Sequence, residues 1–284
     1  MSIRHYLVAF ALAVNSMSVA FCDESQPTKP AEAPTFEAFP MQEHAIAKEY
    51  LACDPDSWSD AKRIPIGPLG LTNLVVPPEE AMPAFFGMLR RLMDRIREFA
   101  PSRAKKMSQP MVVIQAANPA AKESAPMGVK VDTTFPNAFA LELPPFLGPV
   151  VMMGGWVLTR LDEDEIEMIL AHELGHLVKR HSLKLATSAA LLSGMALFPF
   201  GTLARTKLSR MWEAEADALA TKLVNKPEKL ISGLKKIQSN HGVGDLSAPF
   251  SWLSTHPPVR ERAQAVGVSF DEPSVPATES AANA

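Results

Sequence analysis

Tyrosine is nearly missing from this chain: 284 residues hold two, Tyr6 and Tyr50. Cysteine is as scarce, with only Cys22 and Cys53. Two cysteines do not make a disulfide scaffold, and neither sits near the histidine-rich stretch described below, so both are set aside as metal ligands. Whether they pair with each other stays open. A surplus of positive charge is lacking too. The formal net charge is −3, and no basic stripe argues for nucleic acid. No internal repeat is present. The 47% hydrophobic and 21% charged residues are those of an ordinary globular protein, long enough for one domain with a real core.

The first residues read as an export signal. Arg4 and His5 precede an apolar run, Tyr6 to Val14, and Ser18-Val19-Ala20 fits a small-x-small cleavage site. The run is short and broken by Asn15 and Ser16, which favours cleavage after Ala20 over an uncleaved anchor. Phe21 before Cys22 is too bulky for a typical lipid-attachment site. This reading divides the chain into a signal at 1–20, a partly disordered extension at 21–76, a folded domain at 77–268 and a disordered tail at 269–284.

Within Met41 to Gly70, one short helix is expected around Glu43 to Leu51, then loop. Pro77-Pro78-Glu79-Glu80 reads as the start of a helix running to Phe99. Met111 to Gln115, Val129 to Thr133, Ala138 to Leu143 and Met152 to Leu158 read as strands. Asp162 and Glu165 form a capping box for a helix running to about Leu185. Further helices are expected over Ser209 to Val224, Pro227 to Gln238 and from Pro257-Pro258 to Val266.

The capped helix carries His172-Glu173-Leu174-Gly175-His176. Histidines four apart lie on one helical face and can hold one Zn²⁺ from the same side, with Glu173 beside them as general base. Gly175 costs about 1 kcal/mol against alanine inside a helix, a cost that a crossing helix or the metal site itself would explain. A catalytic zinc takes three protein ligands and leaves one position for water. Glu213, in Glu213-Ala214-Glu215-Ala216-Asp217, is the best third ligand, and Asp217, one turn on, can accept a hydrogen bond from a ligand histidine. The blander reading, a solvated acidic face, loses force beside the histidine pair. Glu215 reads as surface. His181 falls on another helical face and reads as structural or surface, and His44 and His241 carry no pattern. With tyrosine absent from this part of the chain, His256 and Arg262 are the natural donors to a developing oxyanion.

Four motifs in order, Asn137-Ala138-Phe139-Ala140, the histidine pair with His181, Glu213 with Asp217, and Thr255-His256-Pro257-Pro258 with Arg262, resemble the gluzincin metallopeptidases related to HtpX and the CAAX prenyl (Ste24p-like) proteases. The likeness is greatest to the exported branch typified by the periplasmic protease-chaperone BepA, and it spans roughly Pro77 to Val266. It implies an α+β, mainly helical zincin-type domain whose small sheet lines the active-site cleft with an edge strand. Peptide would pair along Asn137 to Leu141. It also implies one zinc per chain, His256 near the metal, and Glu213 rather than Glu215 as ligand. Whether His256 itself binds zinc in a latent state stays open.

Ala186 to Leu203 is uncharged and flanked by basic residues, but short and interrupted by Pro199 and Gly201. A buried hairpin over the site and an apolar loop touching a bilayer are both consistent with it. The expected function is a periplasmic, peripherally membrane-associated zinc endopeptidase acting on unfolded or misassembled envelope proteins. The alternative is a zinc-containing chaperone or scaffold with little turnover. Intact Glu173 weighs against that, since a pure binder has no use for the base.

Overall fold

A computed structural model of the chain describes residues 39–54, 63–66, 71–100, 102, 107–115, 137–142, 148–184, 200–241 and 257–270. Its helices are α1 Ala45–Ala52, α2 Pro83–Phe99, α3 Gly155–Arg160, α4 Glu163–Lys179, α5 Phe200–Val224, α6 Pro227–His241 and α7 Val259–Ala265. Its strands are β1 Arg63–Ile66, β2 Leu71–Val75, β3 Met111–Gln115, β4 Ala138–Glu142 and β5 Pro149–Met153. The expected α+β class is the one adopted. The sheet runs β1-β2-β3-β5-β4, parallel between β3 and β5 and antiparallel elsewhere. The side chains of β5 are buried at all five positions, which explains its unbroken Pro-Val-Val-Met-Met reading. β4 is an edge strand, and α4 packs along it.

The segment assigned to the extension joins the domain. His44 caps α1, its Nδ1 accepting the Ala47 N–H at 3.2 Å while Nε2 donates to the Leu161 carbonyl at 2.9 Å. The Tyr50 hydroxyl donates to the Gln115 carbonyl at 2.7 Å. The Glu49 carboxylate accepts the Ala84 N–H at 2.8 Å, capping the start of α2 from another helix. β1, expected as loop, and β2 extend the sheet. Packing of the domain therefore begins before Pro77, because these contacts lie far apart in sequence and leave no local signature.

Two further expectations change. The helix expected from Pro77 is a 3-10 turn, Glu79–Ala81, followed by α2 from Pro83. Pro83 lacks an N–H and its ring would meet the carbonyl four residues back, so it can open a helix but not continue one. The strand expected at Met152 to Leu158 ends at Met153, and α3 begins at Gly155. The strand expected at Val129 to Thr133 lies outside the described residues, as do Cys22 and residues 1–38, 186–199 and 271–284. Among the described residues, no helix is long and apolar enough to cross a membrane.

The Asp162–Glu165 capping box forms in full, at 2.9 and 2.8 Å. Glu165 is buried, and it also accepts from Ser232 Oγ at 2.6 Å and Lys236 Nζ at 2.7 Å, tying the start of α4 to α6. At its other end α4 stops at Lys179. Arg180 takes a left-handed conformation (φ 58°) and reaches the Glu142 carboxylate with Nε at 3.0 and 3.1 Å.

Gly175 is where α4 crosses α5. A Cβ there would lie 3.1 Å from Ala216 Cα and 3.2 Å from its carbonyl oxygen, inside ordinary contact distance. The crossing helix thus accounts for the glycine. On an open helix face Gly175→Ala would stabilise by about 1 kcal/mol. Here overpacking against backbone costs about 1–3 kcal/mol. We expect a net loss of about 1 kcal/mol in urea unfolding; a gain would mean that the two helices have room to spare.

Candidate metal centre

The 3.6-residue repeat of α4 turns His172 and His176 to the same side, towards α5. α5 answers with Glu213, one turn before Asp217. His172 Nε2 and His176 Nε2 lie 3.0 Å apart. Glu213 approaches them with Oε2 at 3.4 Å from His172 and Oε1 at 3.4 Å from His176. Two bare imidazole nitrogens this close to a carboxylate repel one another less if a cation lies among them. Zinc bonds of about 2.0–2.1 Å at tetrahedral angles would set their ligand atoms about 3.3 Å apart. The donor chemistry and the spacing both fit one such ion. His172, Glu173 and Glu213 are buried, and His176 is only slightly exposed.

Behind His172 stands a buried charge pair. Asp217 Oδ1 lies 2.8 Å from His172 Nδ1. An N–H on Nδ1 donates to that carboxylate and leaves Nε2 bare on the ligand side. Arg262 Nε donates to Asp217 Oδ2 at 2.8 Å, and its Nη2 donates to Oδ1. Its Nη1 lies 3.8 Å from Glu213 Oε2. Burial alone would push the Asp217 carboxyl up, but the Arg262 charge and the His172 hydrogen bond outweigh it and hold it at about 2. Burial and Arg262 push the His172 imidazole down, yet the Asp217 and Glu213 carboxylates hold it up at about 9, and a cation among the ligand atoms would displace the proton from Nε2.

Arg262, expected as a donor to an oxyanion, is buried with Nε and Nη2 on Asp217 and Nη1 3.8 Å from Glu213 Oε2, so its guanidinium is engaged with these two carboxylates. Its place four residues after Pro258, on the short helix α7, gave no sign of this partner 45 positions earlier. His256 lies outside the described residues.

His181, read as structural or surface, is structural, and Glu215, read as surface, is partly exposed beside it. The left-handed turn at Arg180 swings His181 back against α4, so it does not fall where a continuous helix would carry it. It is buried, its Nδ1 lies 2.9 Å from His176 Nδ1, and its ring stacks on Trp212 at 5.6 Å between centroids. Burial, then the neighbouring His176, pushes the His181 imidazole down to about 4. Glu215 Oε2 lies 3.5 Å from His181 Nε2 and 3.5 Å from Lys179 Nζ.

The edge strand lies close by. The Gly154 N–H donates to the Asn137 carbonyl at 2.8 Å, which sets the phase of the β4–β5 ladder: Phe139 and Leu141 face β5 with their backbone groups, Ala138 and Ala140 face away. On that outer side the Asn137 side chain accepts the Ala138 N–H at 2.8 Å, and the Ser182 hydroxyl donates to the Ala140 carbonyl at 3.3 Å.

If Arg262 supports the site from behind, Arg262→Met leaves Asp217 buried and uncompensated. We expect a loss of about 3–5 kcal/mol in urea unfolding. A variant as stable as the parent would return Arg262 to the substrate side.

Residues 101–268 match the model of peptidase family M48. The chain is similar to the "Protease HtpX homolog" of Dictyoglomus thermophilum, 30% identical over 200 residues, covering 53% of this chain and 65% of that protein. The homolog of Dictyoglomus turgidum is 31% identical over 201 residues, covering 53% and 66%. The "Protease HtpX" of Legionella pneumophila strain Corby is 30% identical over 168 residues, covering 47% and 58%. The chain spans just under two thirds of the length of the first of these relatives. No solved structure matches it. The matched stretch takes in α4 and α5, β3 to β5 and Arg262. The chain belongs to peptidase family M48.

Proposed function

We propose that this chain is a zinc-dependent endopeptidase of the exported, BepA-like branch of its family, acting on unfolded or misassembled envelope proteins. The observation that carries the reading is the convergence of His172, His176 and Glu213 on one point, with Glu173 on the same buried helix. Zinc held by those three would polarise the scissile carbonyl and acidify a water molecule. Glu173 takes the proton from the attacking water and passes it to the leaving amine. Asp217 and Arg262 keep His172 oriented with its bare nitrogen towards the ligand cluster. With Arg262 Nε and Nη2 engaged by Asp217, His256 serves as the side-chain donor to the developing oxyanion.

The substrate backbone pairs with the outer side of β4, in place of the bonds from Asn137 and Ser182. Pairing through backbone groups reads extended chain rather than particular side chains, which suits an unfolded substrate. The signal-like residues 1–20 support export to the periplasm, and the uncharged run within Ala186 to Leu203 supports peripheral membrane contact.

Purified protein is expected to carry about one zinc per chain and to degrade casein until a chelator strips the metal. Glu173→Gln should keep the zinc and lose about 10²–10⁴-fold in rate. Cleavage that survives metal removal, or that is undiminished in Glu173→Gln, would sink this mechanism. A zinc-loaded parent that binds casein without cutting it would favour the chaperone alternative. Mature protein recovered from the periplasm is expected to begin at Phe21; an intact N-terminus there would point to an anchor.

A further inference from the structure

His172 and His176 are alike as ligands but unlike in what stands behind them. His172 Nδ1 meets a carboxylate directly, Asp217, at 2.8 Å. His176 Nδ1 meets another imidazole, His181 Nδ1, at 2.9 Å. A contact this short between two ring nitrogens needs one proton between them. His176 Nε2 faces the ligand cluster, 3.0 Å from His172 Nε2 and 3.4 Å from Glu213 Oε1, so a metal ligand there must leave it bare. The proton on His176 therefore sits on Nδ1, and His176 is the donor. His181 Nδ1 accepts it, which moves the proton of His181 to Nε2. That nitrogen faces Glu215 Oε2 at 3.5 Å.

We propose that His181 is a positioning residue for the metal ligand His176, oriented in turn by Glu215 and by stacking on Trp212. The inference deepens the proposed function and rests on its metal site. The row runs from the Glu215 carboxylate through His181 to His176, and it does for the second histidine what Asp217 does for the first. The Trp212 ring, nearly parallel to His181 at 17°, holds the imidazole plane. Lys179, 3.5 Å from Glu215, holds the carboxylate at the outer end. Trp212 and Glu215 flank Glu213 on α5, so the helix that supplies the third ligand also supports the second.

The test compares zinc affinity by chelator competition on folded, full-length protein. His181→Phe keeps the ring volume and the stack on Trp212 but cannot accept a hydrogen bond. It should weaken zinc binding by about 10–100-fold. His181→Asn retains an acceptor near the position of Nδ1 and should recover most of that loss. Phenylalanine binding zinc as tightly as the parent, or asparagine failing as badly as phenylalanine, would overturn the proposal. Where His181→Phe does not fold, Glu215→Gln carries the test from the surface: a severalfold weaker affinity supports the row, and an unchanged one overturns it. A parent protein that binds no zinc would defeat the proposed function instead, so the two failures are distinct.

Discussion

The backbones of α4 and α5 can approach closely where Gly175 lies against Ala216, and the candidate metal centre depends on that approach. Ala216 stands between Glu213 and Asp217 on α5, and Gly175 stands between His172 and His176 on α4. The absence of one Cβ thus lets four short side chains from two helices meet. A wider crossing would leave the Glu213 carboxylate unable to reach both imidazoles at 3.4 Å. The helical cost of glycine is repaid across the interface rather than along the helix.

Once the helices are this close, the enclosed charge has to be balanced. Carboxylates from Glu213 and Asp217 and imidazoles from His172 and His176 crowd a region largely removed from water. Arg262 enters from α7 and faces both carboxylates, so a third helix closes the back of the site. Buried ion pairs of this kind add little net stability, but they hold geometry, because either partner alone would be a strongly unfavourable buried charge. On the other side the His176–His181 contact orients its ligand with hydrogen bonding and stacking, and the Glu215 carboxylate stands behind it.

The sheet meets this centre through β4. Glu142 at its end is held by Arg180, the residue whose left-handed turn ends α4, and Ser182 bonds Ala140 just beyond. A single backbone irregularity thus stops the helix, pins the edge strand and turns His181 towards His176. At the far side α1 locks the framework through His44, Glu49 and Tyr50, each bonding to backbone of a distant element.

The sequence by itself determined whatever depends on near neighbours along the chain. The four-residue spacings put His172 with His176, and Glu213 with Asp217, each pair on one helical face. The Asp162–Glu165 box announced the start of α4, and a β-branched run announced β3. Only the tertiary structure decided what joins residues far apart. It gave Arg262 to Asp217, made Glu49 a cap for another helix, built β1 and β2 into the sheet and explained Gly175 by Ala216. It also returned His181 to the site, since a left-handed turn at a non-glycine residue breaks the very periodicity from which a helical face is read. Local spacing is set by the repeat of one helix, whereas contacts between elements are set by how closely their backbones can pack, which no short stretch of sequence encodes.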